Sequence, residues 1–96
     1  MIIRVFRARI KPGCNDEFES FLRNGPIPRI AARPGLIVQH VGRPTAHSPD
    51  EFVYVSVWED VVALRGFAGD RWYEAVIDEE EEHLLLETFI HHYEVI

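Results

Sequence analysis

The residues best equipped for chemistry lie in one run, Glu51-Phe52-Val53-Tyr54-Val55-Ser56-Val57-Trp58-Glu59-Asp60. Its side chains alternate with period two, as in a strand, so Phe52, Tyr54, Ser56 and Trp58 share one face and Val53, Val55 and Val57 the other. A half-buried strand ordinarily has one charged, wet face. Here neither face is charged, so both are expected to be covered. The aromatic face carries a phenol, a hydroxyl and an indole N–H among flat apolar rings, a set able to hold a planar ligand and orient its polar edge. Five histidines add groups that titrate near neutrality. His91 and His92 are adjacent in a strand and point to opposite faces. No pair has the spacing that puts two imidazoles on one metal ion, so no metal site is expected. For His40, His83, His91 and His92 the plain structural alternative is a partly buried, hydrogen-bonded ring. His83 also lies late in an expected helix, where a cation suits the dipole. Cys14 stands alone in a turn leading into acids and reads as an ordinary thiol. The acid run Asp78 to Glu82 reads as a solvated helix face, not a catalytic carboxylate pair.

The elements that must position these groups follow from periodicity and punctuation. A first strand spans Ile2 to Ile10, with Phe6, Ala8 and Ile10 on one face and Ile3, Val5, Arg7 and Arg9 on the other; Pro12-Gly13 ends it. Asn15 or Asp16 caps a helix with the stripe Phe18, Phe21 and Leu22. Gly25-Pro26 breaks it, and Pro28 suits the first turn of a short continuation. Leu36 to Val41 is a second strand, with His40, Leu36 and Val38 on one face, and the loop Gly42 to Asp50 leads to the third. Asp60 caps a helix carrying Val61, Leu64 and Phe67 that ends near Gly66 or Gly69. A further helix is expected from about Arg71 to Leu85, with Trp72, Ala75, Val76 and Leu84 inward, and a last strand from Thr88 to Ile96. Strand, helix, strand, strand, helix, strand is the α+β, ferredoxin-like split βαβ order with a four-stranded antiparallel sheet.

Composition sets the frame. Ninety-six residues read as a single domain, 1–96, with one core. A chain of this size buries only about 60–65% of its unfolded surface, so self-association is favoured. The net charge of −6 argues against nucleic acid or an anionic membrane as partner. No apolar run approaches the roughly 20 residues of a membrane span, and the N-terminus reads as a strand, not a signal peptide. A lone cysteine points to a reducing, cytoplasmic setting. Glycine-rich phosphate loops, the dinucleotide fingerprint and the basic aromatic motif of RNA-binding sheets are all missing.

Three segments carry a resemblance: Ile27-Pro28-Arg29-Ile30-Ala31-Ala32-Arg33-Pro34-Gly35-Leu36, then Val53-Tyr54-Val55-Ser56-Val57-Trp58-Glu59-Asp60, then His92-Tyr93-Glu94-Val95. Together they resemble the antibiotic biosynthesis monooxygenase (ABM) domain family. The Trp-Glu-(Ser/Asp) step from the third strand into a helix is the strongest element. The resemblance implies a dimeric α+β barrel, in which two ferredoxin-like sheets pack together and each subunit keeps a cavity between sheet and helices. It implies a homodimer, and the known activities of the family include oxygenation of quinols, anthrones and related polyketide aromatics with no metal or flavin, while many members have no established substrate. One branch degrades haem with a first-strand Asn, the strand-three Trp and a helical His. Trp58 matches the second, but Phe6 and Val76 fall at the other two positions, which argues against that activity.

Under this resemblance the expected function is a cofactor-independent monooxygenase acting with O₂ on a small aromatic, quinol-like molecule. Such chemistry needs a base titrating near neutrality, donors or cations for the substrate anion, and a flat apolar slot. His40 and His83 are the candidate catalytic bases, either of which could face the cavity. Arg4, on the face of Phe6 that the family pattern turns inward, joins Tyr54, Ser56, Trp58, Phe67 and Trp72 as the expected substrate-binding set. No cofactor is implied. A non-catalytic dimer binding a small hydrophobic metabolite is the alternative, and an isomerase, decarboxylase or cyclase on the same cavity is a third possibility.

Overall fold

The computed structural model describes residues Met1–Ile96. Its strands are β1 (Ile2–Ile10), β2 (Leu36–Gly42), β3 (Glu51–Trp58) and β4 (Leu85–Glu94). Its helices are α1 (Asn15–Asn24), α2 (Pro26–Ala31), α3 (Val61–Ala68) and the single turn α4 (Glu79–Glu82). The strands form one antiparallel sheet in the order β2-β3-β1-β4, so the ferredoxin-like α+β order expected from sequence is the observed fold. No helix is long and apolar enough to cross a membrane.

The helices cover one face of this sheet. Beneath them lies the core of Ala8, Ile10, Phe18, Leu22, Ile30, Phe52, Tyr54, Trp58, Leu64 and Leu84. β3 alternates strictly between buried and half-buried positions, with Phe52, Tyr54, Ser56 and Trp58 turned to the helices. α1 presents Phe18 and Leu22 to the sheet, and Phe18 meets Phe52 edge-on with centroids 4.9 Å apart. Asp60 caps α3, its Oδ1 accepting from the Ala63 amide at 2.8 Å. Gly35, at φ +82°, allows β2 to start against α3, because a Cβ there would lie 2.4 Å from that of Ala63.

Several local expectations are corrected. α1 begins without a side-chain cap, because Asn15 already lies in the first turn and Cys14 takes the cap position; the Asn15 side-chain NH2 donates to Asp50 Oδ1 at 3.0 Å. β2 is bulged between Leu36 and Val38. Leu36 therefore pairs with Trp58 and packs on the core, while Val38 and His40 pair with Val57 and Val55 on the far face. The helix expected over Arg71–Leu85 is reduced to α4, and residues 69–78 form no regular element. The reason is long-range. The buried Arg4 guanidinium donates to the carbonyls of Trp72, at 2.5 Å, and Glu74, at 3.0 Å, supplying these oxygens with partners that a helix would have supplied from its own amides. β4 starts at Leu85, three residues before the expected Thr88.

Candidate functional site

A small cavity of about 50 Å³ lies between the helix-facing side of the sheet and the segments that cover it. β1 contributes Arg4 and Phe6, β3 contributes Tyr54 and Ser56, and α1 and α2 supply Leu22, Pro26, Arg29 and Ile30. Phe67 of α3, Val76 of the irregular segment and Glu81 of α4 close it. The wall is thus mainly apolar, with ionisable groups arriving from β1, α2, β3 and α4.

Each polar group has a definite state. Arg4 is only 5% exposed. Besides its two carbonyl bonds it lies 2.9 Å from His92 Nε2, and its guanidinium carbon sits 5.8 Å from the Phe67 ring centre. Burial lowers its pKa to about 10, so it remains a cation at neutral pH. Since an arginine only donates, His92 Nε2 must accept, which places the imidazole proton on Nδ1. Burial, then the charges of Arg4 and His91, push the His92 pKa down and keep the ring neutral. The Tyr54 hydroxyl donates to Gln39 Oε1 at 2.5 Å, and Gln39 in turn donates to the Ile27 carbonyl. Burial raises the Tyr54 pKa to about 12, with the nearby Arg29 charge opposing, so the phenol stays protonated. Arg29 pairs with Asp78 at 3.0 Å on the outer side of the wall.

Glu81 is the unexpected member. It stands in the acid run read from sequence as a solvated face, yet it is 4% exposed and turned into the cavity. Its Oε2 accepts from the Asp78 amide at 3.0 Å in a capping box, which fixes the carboxyl group. Burial raises its pKa to about 7, reinforced by the charges of Asp78 and Glu80 and opposed by the Asp78 amide bond and Arg29.

Of the residues singled out from sequence, the structure gathers Arg4, Tyr54, Ser56 and Phe67 at the cavity. Trp58 faces the helices but is fully buried beneath Phe67, the two rings stacked at 5.4 Å and 10°. Its indole N–H donates to Ser56 Oγ at 3.0 Å and so has no vacancy for a ligand. Trp72 lies outside the lining and packs edge-on against His92, 5.0 Å away. His40 is exposed on the opposite face of the sheet, where the bulge leaves it. His83 is exposed at the end of α4 and faces Glu17 Oε2 at 3.0 Å. Neither touches the cavity. The imidazole nearest to it is His92, which the register of β4 on β1 sets opposite Arg4.

The lining also answers the question of haem. Phe6 and Val76, which match the Asn and His of the haem-degrading branch, both form part of the wall. No imidazole or thiol lines the cavity, and the Tyr54 hydroxyl is committed to Gln39. The residues present do not fit haem.

Comparison with known proteins agrees with this architecture. No curated protein matches the sequence. Among solved structures, a protein from Shewanella oneidensis superposes with a TM-score of 0.79 at 16% identity, covering 96% of this chain and 87% of the other. One from Pseudomonas aeruginosa gives 0.77 at 18% identity, covering 99% and 93%. MhuD, a haem-degrader from Mycobacterium tuberculosis solved with two haems in its active site, gives 0.74 at 14% identity, covering 100% and 96%. Identities this low establish a shared fold and nothing finer. The family profile described as antibiotic biosynthesis monooxygenase matches residues 1–79, from β1 to the start of α4. With the observed sheet order, that match settles the family: the chain is a member of the antibiotic biosynthesis monooxygenase domain family.

Proposed function

We propose that this chain is a cofactor-independent monooxygenase that oxidises a small aromatic, quinol-like molecule with O₂ inside the cavity beneath its sheet. The observation that carries the reading is the lining: an apolar slot with a buried guanidinium cation, Arg4, at its wall, whose positive charge favours an anion formed there. The substrate, a phenol or its ring-methylene tautomer, gives up a proton. The resulting anion passes one electron to O₂, and the substrate radical and superoxide combine at a ring carbon. The peroxide regains a proton and loses water, leaving a carbonyl. One oxygen atom ends in the product and the other in water, so no outside reductant is needed. Cations and oriented donors stabilise the anion on which the sequence depends.

At about 50 Å³ the cavity is far smaller than the roughly 300–1,000 Å³ of typical ligand pockets. Substrate entry therefore requires the wall to yield. The irregular segment 69–78, which is tied down chiefly through Arg4 and Arg29, is the part we assign to that movement. We further propose a homodimer, formed by packing the uncovered sheet faces together around Val53, Val55 and Val57, in a reducing cytoplasmic setting suited to the free Cys14.

The alternative, a non-catalytic dimer that binds a small hydrophobic metabolite, draws on the placement of His40 and His83 away from the cavity. Oxygen uptake separates the two. A panel of quinols, naphthols and anthrones should include members that consume one O₂ per product formed. Panel members that bind, as followed by tryptophan fluorescence, without any oxygen uptake would favour the binding protein.

A further inference from the structure

We propose that Glu81 is the proton acceptor of this cavity, taking hydrogen from a weakly acidic O–H or C–H group on a planar aromatic substrate. The inference relies on the monooxygenase reading for the place of the substrate, but not for the oxygen step.

Elimination among the lining groups points to it. Arg4 and Arg29 are cations and accept nothing. Tyr54 is protonated and donates to Gln39, and Ser56 Oγ already accepts from Trp58. Glu81 is the one lining side chain whose conjugate base can take a proton near neutral pH. The capping box holds Oε2 on the Asp78 amide, and no hydrogen bond reaches Oε1. One oxygen thus fixes the group while the other is left to act, the arrangement a positioned base requires. The charges acting on it are those of Arg29 on α2 and of Asp78 and Glu80 on its own turn, while Arg4 of β1 lines the same cavity. Glu17 of the neighbouring α1 is turned to His83 at the surface. A carboxyl group raised by burial to about 7 has the affinity suited to both taking and returning a proton under physiological conditions.

In the step, the substrate O–H or C–H bond breaks and the proton passes to Oε1. The bonding pair stays on the ring as a delocalised anion in the field of the buried Arg4 cation. Negative charge moves from a buried carboxylate onto the substrate, and the total is unchanged. After oxygen adds, the same carboxyl group returns the proton to the peroxide.

Proton transfer can be measured without oxygenation. Under anaerobic conditions in D₂O, 2-indanone and 2-tetralone serve as probes with acidic methylene groups, and NMR follows their deuteration. Oxygen uptake with the quinol panel is recorded separately. Wild-type protein should speed exchange, with a rate that rises through about pH 7 and then levels. Glu81→Gln should lower the rate by about 10²–10⁴. Glutamine can still accept from the Asp78 amide, so the capping box is kept, and a thermal melt checks the fold. The wild-type pH profile is a second test that needs no variant. Loss of exchange in Glu81→Gln supports the proposal even if no panel member is oxidised, in which case the oxygenase reading alone fails. A variant that exchanges or oxidises at the wild-type rate overturns the role of Glu81 and leaves the oxygenase standing. Wild-type protein with neither exchange nor uptake overturns both.

Discussion

Glu81 holds its charge at a cost to the fold. Burial raises its pKa from 4.5 to about 7, so the folded chain binds this proton more tightly than the unfolded chain does. The stabilisation this gives is fully present below the ordinary carboxylate pKa and is lost as pH rises through about 7. Glu81→Gln removes the ionisation and keeps the cap. At about pH 8 the variant should be the more stable by on the order of 1–2 kcal/mol, or about 5–10 °C in Tm, and the gap should close near pH 4. Melts at both pH values decide this, and an identical pH response in the two proteins would locate the effect elsewhere. The result would also separate the residue's two duties, since the same substitution is expected to harm proton transfer. In the sequence, Glu81 is one of five consecutive acids, and nothing local marks which of them turns inward. Only the Asp78 cap and the packing of Leu84 fix that choice.

The strands were largely legible and the irregular segment was not. The alternation of β3 assigns its two faces directly, and Asp60 with Val61, Leu64 and Phe67 announces α3. Residues 71–78 carry a helical pattern that is overridden by Arg4, whose bonds to Trp72 and Glu74 span some 70 positions of sequence. The bulge in β2 had the same effect on His40: one extra residue at Ile37 changes which face a side chain occupies. Arg4 is therefore the sensible point at which to perturb the segment. Arg4→Met should destabilise the fold by about 2–4 kcal/mol, reflecting lost charge-assisted bonds, and should speed amide exchange over residues 69–78 above that of the rest of the chain. Lysine should not restore it, since a single ammonium cannot match a planar fork reaching two carbonyls and a ring. Acid should act at the same junction. With its pKa depressed, His92 contributes stability above the ordinary value of 6.5 that is lost as pH falls through the folded value, where protonation turns its acceptor toward Arg4 into a donor. Protection of the amides over 69–78, taken relative to their intrinsic exchange rate, is expected to fall as pH drops below the ordinary imidazole value in wild type, and not in His92→Gln, whose side-chain oxygen can still accept. A uniform response along the whole chain would contradict both statements.

At the scale of the whole molecule, the helices cover only one side of the sheet. The other presents Ile3, Val5, Val38, Val53, Val55, Val57 and Phe89, together with the polar Arg7, His40, His91 and Tyr93. Tyr93 is 55% and Val38 39% exposed in the single chain. Burying such a face favours association, and a second copy presents a surface of the same shape and polarity. Light scattering at micromolar concentration should return twice 11.1 kDa. Val55→Glu should shift the mass to that of one chain by setting two carboxylates against an apolar surface. A wild-type monomer would remove the dimer from the proposal without touching the cavity on the other side. The sequence could announce this uncovered face because alternation reports how many sides of a strand are apolar; it could not announce the size of the cavity, which depends on how far Phe67 and Val76 close over Arg4. The grip of Arg4 on the segment also bears on inheritance. It holds main-chain carbonyls, which every amino acid supplies, so the identities of Trp72 and Glu74 are not fixed by the bond that anchors them. A lineage could therefore rewrite this stretch, and with it the wall at Val76, one codon at a time while the anchoring arginine stayed in place, so that diversification of ligand preference need not pass through unfolded ancestors.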